Sequence, residues 1–249
     1  MRSSRKLAVR IEPPVAYLRL HLGEQDNRID QTLAQQLCAA AEDIEHDDRV
    51  NLVVLDSEGP SFCLGVEEGG AWEDRFDFVG AIGRVTRPVI AAVRGDAIAE
   101  GLELALACDL RFFSDAAKCG MMQLIEGRLP RHGGTQRLPR IVGRTRAMDL
   151  VLTGRLLRAA EAERIGIASR VFRRRDFEAS LNAAIADLAR KGPVALRYAK
   201  EAILEGSEMT FDQGVRLEED LYALLQTTRD RREGVDAFLK KRKPRYRGK

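Results

Sequence analysis

Two glutamates, Glu100 and Glu103, stand three residues apart in the apolar segment AIAEGLELALAC. Residues 100–107 are rich in alanine and leucine, so they are predicted to form a helix, which places both carboxylates on one face, one turn apart. A carboxylate held away from water has a raised pKa and can transfer protons near neutral pH. The pair is therefore the first candidate for acid–base chemistry.

Other residues that commonly carry chemistry lack the necessary spacing. The sequence has no CxxC pair and no paired histidines, so a zinc site is not expected. It also lacks GxSxG, GxxxxGK[ST] and a GxGxxG turn after a strand, which removes the main support for three common enzyme classes. Cys108, inside LELALAC, is interpreted as a small buried hydrophobe.

The 249-residue chain is 45% hydrophobic and 32% charged, which excludes a disordered chain, a collagen-like fibre and a disulfide mini-protein. With 41 basic and 38 acidic residues, the net charge of +3 argues against a dedicated nucleic-acid binder. No apolar run approaches the roughly 20 residues that span a bilayer, and the N-terminal segment has no signal core. A cytoplasmic protein without membrane contact is therefore expected.

Short apolar runs alternate with segments of helical period, which predicts an α/β fold with a parallel sheet. The predicted strands are Val15–Leu22, Val50–Leu55, Pro88–Val93 and Leu110–Phe113. The predicted helices are Thr32–Ile44, Phe76–Ile82, Glu100–Ala107, Arg144–Leu152, Ala159–Ile165, Asp176–Arg190, Val194–Glu205, Phe211–Leu225 and Gly234–Lys240. Asp176 is a candidate N-cap.

Helices dominate the end of the chain, and Gly192-Pro193 separates the last ones from the rest. This break predicts two units, a core at residues 1–192 and a helical C-terminal region at residues 193–249. The C-terminal helices have more apolar positions than they can bury among themselves. We expect them to pack on the core or on another subunit, and self-association is favoured.

Five stretches of the sequence resemble the crotonase, or enoyl-CoA hydratase/isomerase, family in order and spacing from Asn27 to the C-terminus. They are SFCLG, RPVIAAVRGDAIAEGLELALACDLRFFSD, LPRHGGTQRLPRIVGRTRAMDLVLTGR, AERIGIASRVF and DRREGVDAFLKKRK. The resemblance implies a ββα spiral core, a C-terminal helical trimerisation region, and a homo-trimer or dimer of trimers. It also implies a coenzyme A thioester as substrate, with no cofactor or metal.

By this resemblance, the backbone N–H groups of Leu64 and Glu100 form an oxyanion hole for the thioester carbonyl. Such donors stabilise the charge that develops on the oxygen when the α-carbon becomes part of an enolate. The family usually has glycines at this turn, and Glu100 replaces one of them. Either the hole is altered and its backbone strained, or Glu100 is an N-terminal helical acid with its side chain turned away.

Glu103 lies where the hydratases of the family carry the glutamate that positions and deprotonates water. Their second glutamate corresponds to Gln123, whose amide can hold a water but cannot transfer the catalytic proton. Glu126, three residues further on, either substitutes for that second acid or is a surface or capping residue.

Arg131 and His132 are assigned to the acyl pocket by the same resemblance. A guanidinium at residue 131 cannot act as a base and favours a short polar or carboxylated acyl group, unless Glu126 or Glu100 neutralises it. Phe238 and Lys241 match the residues that bind the adenine and phosphates of coenzyme A from a neighbouring subunit. Their three-residue spacing predicts that they share one helical face.

Hydration or dehydration of an enoyl-CoA, with Glu103 as the principal acid–base group, is the leading hypothesis. Isomerisation of a double bond by one carboxylate and decarboxylation through the oxyanion hole are alternatives. A third class is a catalytically weak member that binds acyl-CoA or RNA, for which the basic runs Arg173–Arg175 and Lys240–Lys243 would serve.

Overall fold

A six-stranded sheet organises the fold in a computed structural model, which describes residues 6–21, 28–67 and 76–249. Its strands in spatial order are β1 (Leu7–Glu12), β2 (Val15–Leu20), β3 (Leu52–Ser57), β4 (Val89–Val93), β6 (Leu110–Ser114) and β9 (Arg170–Phe172). The β1–β2 pair is antiparallel, and each later pair is parallel. A second sheet contains β5 (Ala97–Ile98), β7 (Lys118–Gly120) and β8 (Leu157–Arg158).

Helices connect and cover these strands. In chain order they are α1 (Gln31–Glu45), α2 (Phe78–Gly83), α3 (Glu100–Ala107), α4 (Gly134–Val142), α5 (Arg144–Thr153), α6 (Ala159–Arg164), α7 (Phe177–Ala189), α8 (Pro193–Gly206), α9 (Phe211–Thr227) and α10 (Arg229–Leu239). Single 3₁₀ turns occur at Gln123–Glu126 and Arg174–Asp176. None of the helices in the described ranges is both long and apolar enough to cross a membrane.

The central strands β3 and β4 are buried along their whole length, because helices cover both faces of the sheet. One face packs in the large core with α1, α2 and α3. The other face packs against Phe177, Leu181 and Ile185 of α7. A strand covered on both faces needs a continuous apolar run, which explains why LVVL and VIAAV lack the alternation of a half-exposed strand.

The predicted alternation of strands and helices is confirmed, with three local differences. Strands β1, β5, β7, β8 and β9 and helix α4 were not predicted; α4 contains Pro139 and begins in a glycine pair, which obscures its period. Asp176 precedes α7, but its side chain accepts no capping hydrogen bond. Helix α10 begins at Arg229, five residues before the predicted start at Gly234, and Thr228 caps it by accepting from the Arg231 N–H.

Lys200 fastens the C-terminal helices to the rest of the chain. Its ammonium donates to the carbonyls of Val85 at 2.7 Å and Arg87 at 3.1 Å, and pairs with the Asp109 carboxylate at 2.7 Å. The side chain is only 9% exposed. The division at residue 193 remains a prediction, since α8 is in direct polar contact with the core.

Helices α8 and α9 and the loop between them carry apolar side chains that the described part of the chain leaves exposed. They are Ile203, Leu204, Met209, Phe211, Val215, Tyr222 and Leu224. This arrangement agrees with the excess of apolar positions counted in the sequence.

Replacing Lys200 by methionine should lower the free energy of unfolding by about 2 kcal/mol, because it removes a mostly buried cation, leaves the Val85 and Arg87 carbonyls without this donor and leaves the Asp109 carboxylate without its counter-ion. Lys240→Met is the matched control, since Lys240 forms an exposed pair with Asp236 at 2.8 Å on α10. The control should cost less than about 0.5 kcal/mol. Urea denaturation at equal protein concentrations measures both free energies of unfolding. Equal decreases in the two variants would contradict the proposed role of Lys200 in holding the C-terminal helices to the core.

Candidate active site

The beginning of α3 lies against the segment Phe62–Gly65, and backbone hydrogen bonds hold the two together. The N–H groups of Phe62 and Cys63 donate to the Asp96 carbonyl at 2.9 and 3.1 Å, and the Ile98 N–H donates to the Cys63 carbonyl at 2.9 Å. A Cβ at Gly101 would lie 2.1 Å from that same carbonyl oxygen. Only glycine permits this approach, which places Leu64 beside the first turn of α3.

The chain enters α3 through a strained residue. Ala99 has φ 52° and ψ −119°, a conformation that costs a non-glycine residue about 1 to 3 kcal/mol. Its N–H donates to the Gly120 carbonyl at 2.8 Å, and its carbonyl accepts from Leu102 and Glu103. The strain expected at Glu100 therefore lies one residue earlier, and Glu100 is itself an ordinary first residue of the helix.

The backbone N–H groups of Leu64 and Glu100 donate no hydrogen bond to another described residue. Unbonded N–H groups at a helix N-terminus favour a negative charge. The sequence analysis proposed that these two amides act together. The structure places them on the two segments that Gly101 brings into contact. They are suited to bind the oxygen of a polarised carbonyl.

Glu103, on the next turn of α3, is buried, and both oxygens of its carboxylate accept hydrogen bonds. Oε1 accepts from the backbone N–H groups of His132 at 2.9 Å and Gly134 at 2.8 Å. Oε2 accepts from Nε2 of Gln123 at 3.1 Å. The carboxylate thus lies at the N-terminus of α4 and fixes that helix relative to α3.

Gly134 makes this contact possible. A Cβ there would lie 2.8 Å from Oε1 of Glu103, and the preceding Gly133 has φ +90°. The sequence HGG is therefore the local signal for a turn whose backbone N–H groups bind a carboxylate. Sequence analysis did not assign a role to either glycine.

Burial is the main reason that the pKa of Glu103 rises from its ordinary value of 4.5 to about 7. The nearby Glu100 charge raises it further, while the hydrogen bonds from Gly134, His132 and Gln123 lower it. A group with this pKa is present in both protonation states near neutral pH. It can therefore accept and return a proton in one cycle.

Gln123 is buried beside Glu103, and its Oε1 has no hydrogen-bond partner among the described residues. Glu126, at the other end of the same 3₁₀ turn, is exposed and binds Arg128. Of the two candidates for a second catalytic group, the structure brings Gln123 to Glu103 and leaves Glu126 at the surface.

Glu100 has a fully buried side chain. Its Oε1 pairs with Nη1 of Arg128 at 2.6 Å, while Oε2 has no partner. Arg128 was not identified from the sequence, because an arginine two residues from a surface acid gives no sign of a buried partner. Glu100 and Glu126 both bind Arg128, and the neutralisation of Arg131 by either acid stays a prediction.

Arg131 and His132 precede α4 on the same side of the molecule as Glu103. The His132 backbone holds the Glu103 carboxylate, and its ring packs on Phe78 with centroids 4.7 Å apart. Arg131 is exposed. His132 is thus tied to the carboxylate through its backbone.

Phe238 and Lys241 do not share a helical face. Phe238 lies on α10 and is 82% exposed, but the helix ends at Leu239 and Lys241 follows with φ 51°. The expectation from their spacing is wrong, because the chain leaves the helix between them.

The cysteines contribute packing. Burial raises the pKa of the Cys63, Cys108 and Cys119 thiols to about 12, which keeps them protonated. The interpretation of Cys108 as a buried hydrophobe is confirmed. Within the described ranges, no group of three or more histidine, cysteine or acidic residues could hold a metal ion.

The family model for enoyl-CoA hydratase/isomerase matches residues 10–249. The chain belongs to this family. Its fold is also that of the 1.8 Å crystal structure of enoyl-CoA hydratase from Bacillus anthracis, with a TM-score of 0.92 and 32% identity over 98% of this chain and 100% of that one. The crotonase resemblance seen in the sequence is confirmed.

Relatives within the enoyl-CoA hydratase/isomerase family bear names of two kinds. A probable enoyl-CoA hydratase from Rhizobium meliloti (strain 1021) is 37% identical over 96% of this chain and 97% of its own length. The mitochondrial methylglutaconyl-CoA hydratase of Mus musculus is 37% identical over 89% of this chain and 76% of its own length. The protein is accordingly an enzyme of this family.

The raised pKa of Glu103 should appear in the pH dependence of stability. The unfolded chain releases the Glu103 proton at a lower pH than the folded chain does. The stabilising contribution is therefore complete below the ordinary pKa of 4.5 and is lost as pH rises through about 7, a loss of about 3 kcal/mol.

Glu103→Gln is the reference, because it cannot ionise. The free energy of unfolding of the wild type minus that of the variant should fall by about 3 kcal/mol from roughly pH 4.5 to 8. Urea denaturation of both proteins at matched concentration measures the difference. A difference that stays constant over this range would show that the pKa of Glu103 is not raised.

Proposed function

We propose that this enzyme catalyses the reversible hydration of an enoyl-CoA thioester. One observation supports the proposal above others: a buried carboxylate with a pKa of about 7 lies one helical turn beyond an unbonded backbone N–H at the start of α3. The two groups are Glu103 and Glu100. Together they supply a proton-transfer group and an oxyanion donor on one rigid element.

The reaction follows from this arrangement. The thioester carbonyl oxygen accepts hydrogen bonds from the N–H groups of Leu64 and Glu100, which makes Cβ of the enoyl group electrophilic. The Glu103 carboxylate takes a proton from water as the water oxygen bonds to Cβ, and the C=C electron pair moves to form the enolate. Protonated Glu103 then returns that proton to Cα, so one molecule of water is added across the double bond.

Gln123 has a positioning role in this scheme. Its Nε2 holds one Glu103 oxygen, and its unpartnered Oε1 can accept a hydrogen bond from the attacking water. An amide cannot carry the proton, so Glu103 serves as both base and acid. The coenzyme A thioester activates the substrate, and the proposed steps require no cofactor or metal.

Glu103→Gln should lower kcat by 10²-fold or more, because the amide preserves the shape of the side chain but cannot transfer the proton. Binding of the coenzyme A thioester should stay within about tenfold. Gln136→Glu is a surface control on α4 and should leave kcat unchanged. Near-normal turnover by Glu103→Gln would reassign Glu103 as only an anchor for α4.

Isomerisation of an enoyl-CoA double bond is the second candidate, and Gln123 is the observation that favours it. A single carboxylate that removes a proton from one carbon and returns it to another has no need of a second acid. Gln123→Glu separates the candidates. If the enzyme is a hydratase that lacks its second carboxylate, the substitution should raise the hydration rate. It should lower an isomerisation rate, because a second carboxylate raises the pKa of Glu103, and the proton that the pair then shares leaves less of Glu103 ionised to act as the base.

Mass spectrometry of saturated, enoyl, dienoyl and carboxyacyl-CoAs after incubation identifies the reaction directly. Hydration adds the mass of water, isomerisation changes retention without changing mass, and decarboxylation removes CO₂. No change in any thioester would favour a binding protein. Carboxyacyl-CoAs belong in the panel because Arg131 is exposed just before α4, and because some relatives are named for methylglutaconyl-CoA.

Assembly as a homo-trimer or dimer of trimers belongs to the same proposal. The exposed apolar side chains of α8 and α9 include Phe211 at 84% and Ile203 at 71% exposure, which are large values for an isolated chain in water. We assign Phe238 and Lys241 to coenzyme A binding by a neighbouring subunit. Each residue meets the ligand from its own position, since they do not share a helical face.

Phe238→Ala should weaken coenzyme A binding by about tenfold, the usual value of one lost aromatic contact. Leu239→Ala is the matched control, because Leu239 is the next residue on α10 and is 72% exposed. Isothermal titration calorimetry gives the two Kd values, and light scattering should give a multiple of three subunits. A monomer, or equal Kd values for the two variants, would refute the assignment.

A further inference from the structure

The buried carboxylate of Glu100 presents the proposed oxyanion hole with an electrostatic problem. The backbone N–H of Glu100 is one of the two donors, while its own side chain carries a negative charge into the same region. Oε2 is buried without a partner and would lie 2.9 Å from a Cβ at Gly65, the residue after Leu64. One side chain therefore places an anion beside the second donor.

An anion at this place opposes the reaction. An enolate oxygen and a carboxylate repel each other strongly where water is excluded, since the effective dielectric constant is low. The family usually has glycine here, which adds no charge. A chain that carries glutamate instead needs a compensating cation close to that carboxylate.

Arg128 is in the position to supply that cation. Its Nη1 contacts Oε1 of Glu100 at 2.6 Å, and Nε donates to Glu126 at 3.1 Å. The backbone N–H of Arg128 donates to the Gln123 carbonyl at 2.9 Å and closes the 3₁₀ turn. The guanidinium is thus held from two sides, with the exposed Glu126 orienting it toward the buried Glu100.

We propose that Arg128 is an electrostatic positioning residue for the oxyanion hole: it binds the Glu100 carboxylate and cancels its charge, so that an enolate can form beside it. This inference rests on the proposed use of the Leu64 and Glu100 amides. It adds that the substitution of glycine by glutamate at residue 100 works only together with Arg128. Glu126 assists by orienting the guanidinium from the surface.

Acetoacetyl-CoA is a suitable probe, because its bound enolate absorbs ultraviolet light and reports the hole without turnover. The pH at which half of the bound probe is enolate measures how strongly the site stabilises the oxygen. In Arg128→Gln this midpoint should rise by about one pH unit, a tenfold loss of enolate at a fixed pH. Glu100→Gln, which keeps the backbone N–H and the cation, should lower the midpoint.

The double variant Glu100→Gln/Arg128→Gln decides the matter. It should return the midpoint to within about 0.3 pH unit of the wild type, roughly a twofold change in enolate, because the charge and its counter-ion are removed together. A double variant whose midpoint stays as high as that of Arg128→Gln would overturn the proposal, as would an unchanged midpoint in Arg128→Gln. Glu126→Gln should shift it by less than half as much as Arg128→Gln.

Two further comparisons keep the test decisive. If Arg128→Gln does not fold, Glu100→Gln and the double variant still bracket the effect of Arg128: the double variant must have the higher midpoint. If acetoacetyl-CoA binds but its midpoint equals that in water for the wild type, the oxyanion hole itself is refuted. Loss of hydration activity with these midpoint shifts intact would instead refute only the proposed reaction.

Discussion

The contact between Gly101 and the Cys63 carbonyl is the constraint on which the site depends. It lets the first turn of α3 lie directly against Phe62–Gly65, since a Cβ at Gly101 would lie only 2.1 Å from the Cys63 carbonyl oxygen. The Leu64 and Glu100 amides, which donate no hydrogen bond within the described part of the chain, then lie on adjacent segments, and the strain at Ala99 is sustained by the hydrogen bonds on either side of it. Glu103 follows one turn later, so one packing contact sets the distance between the proposed oxyanion donors and the proposed proton-transfer group.

The same carboxylate atoms of Glu103 have a structural role and the proposed chemical role. The His132 and Gly134 amides that fix its orientation also favour its ionised form, whereas burial favours its neutral form. The pKa of about 7 is the balance of these opposing effects. A fully solvated carboxylate would be too weak a base at neutral pH, and one buried without hydrogen bonds would hold its proton.

Much of this architecture could be predicted from the sequence, and the exceptions have physical causes. Helix α3 was predicted to the residue, because alanine and leucine dominate it and no tertiary contact overrides that preference. Helix α4 was missed because Glu103, which is distant in sequence, caps it. Arg128 was missed for a similar reason: a partner 28 residues away leaves no local pattern. Spacing misled at Lys241, since the helix ends before it.

The 3₁₀ turn Gln123–Glu126 and the two residues after it carry the partner of Glu103 at one end and the partner of Glu100 at the other. This segment makes few other packing contacts, because Ile125 and Glu126 are exposed and Gly127 has open space around it. Six consecutive residues therefore influence both the basicity of the Glu103 carboxylate and, in the proposed mechanism, the charge near the enolate oxygen. Exchange of this hexapeptide among relatives would let one scaffold acquire new chemistry while its folding determinants, which lie elsewhere, stay untouched.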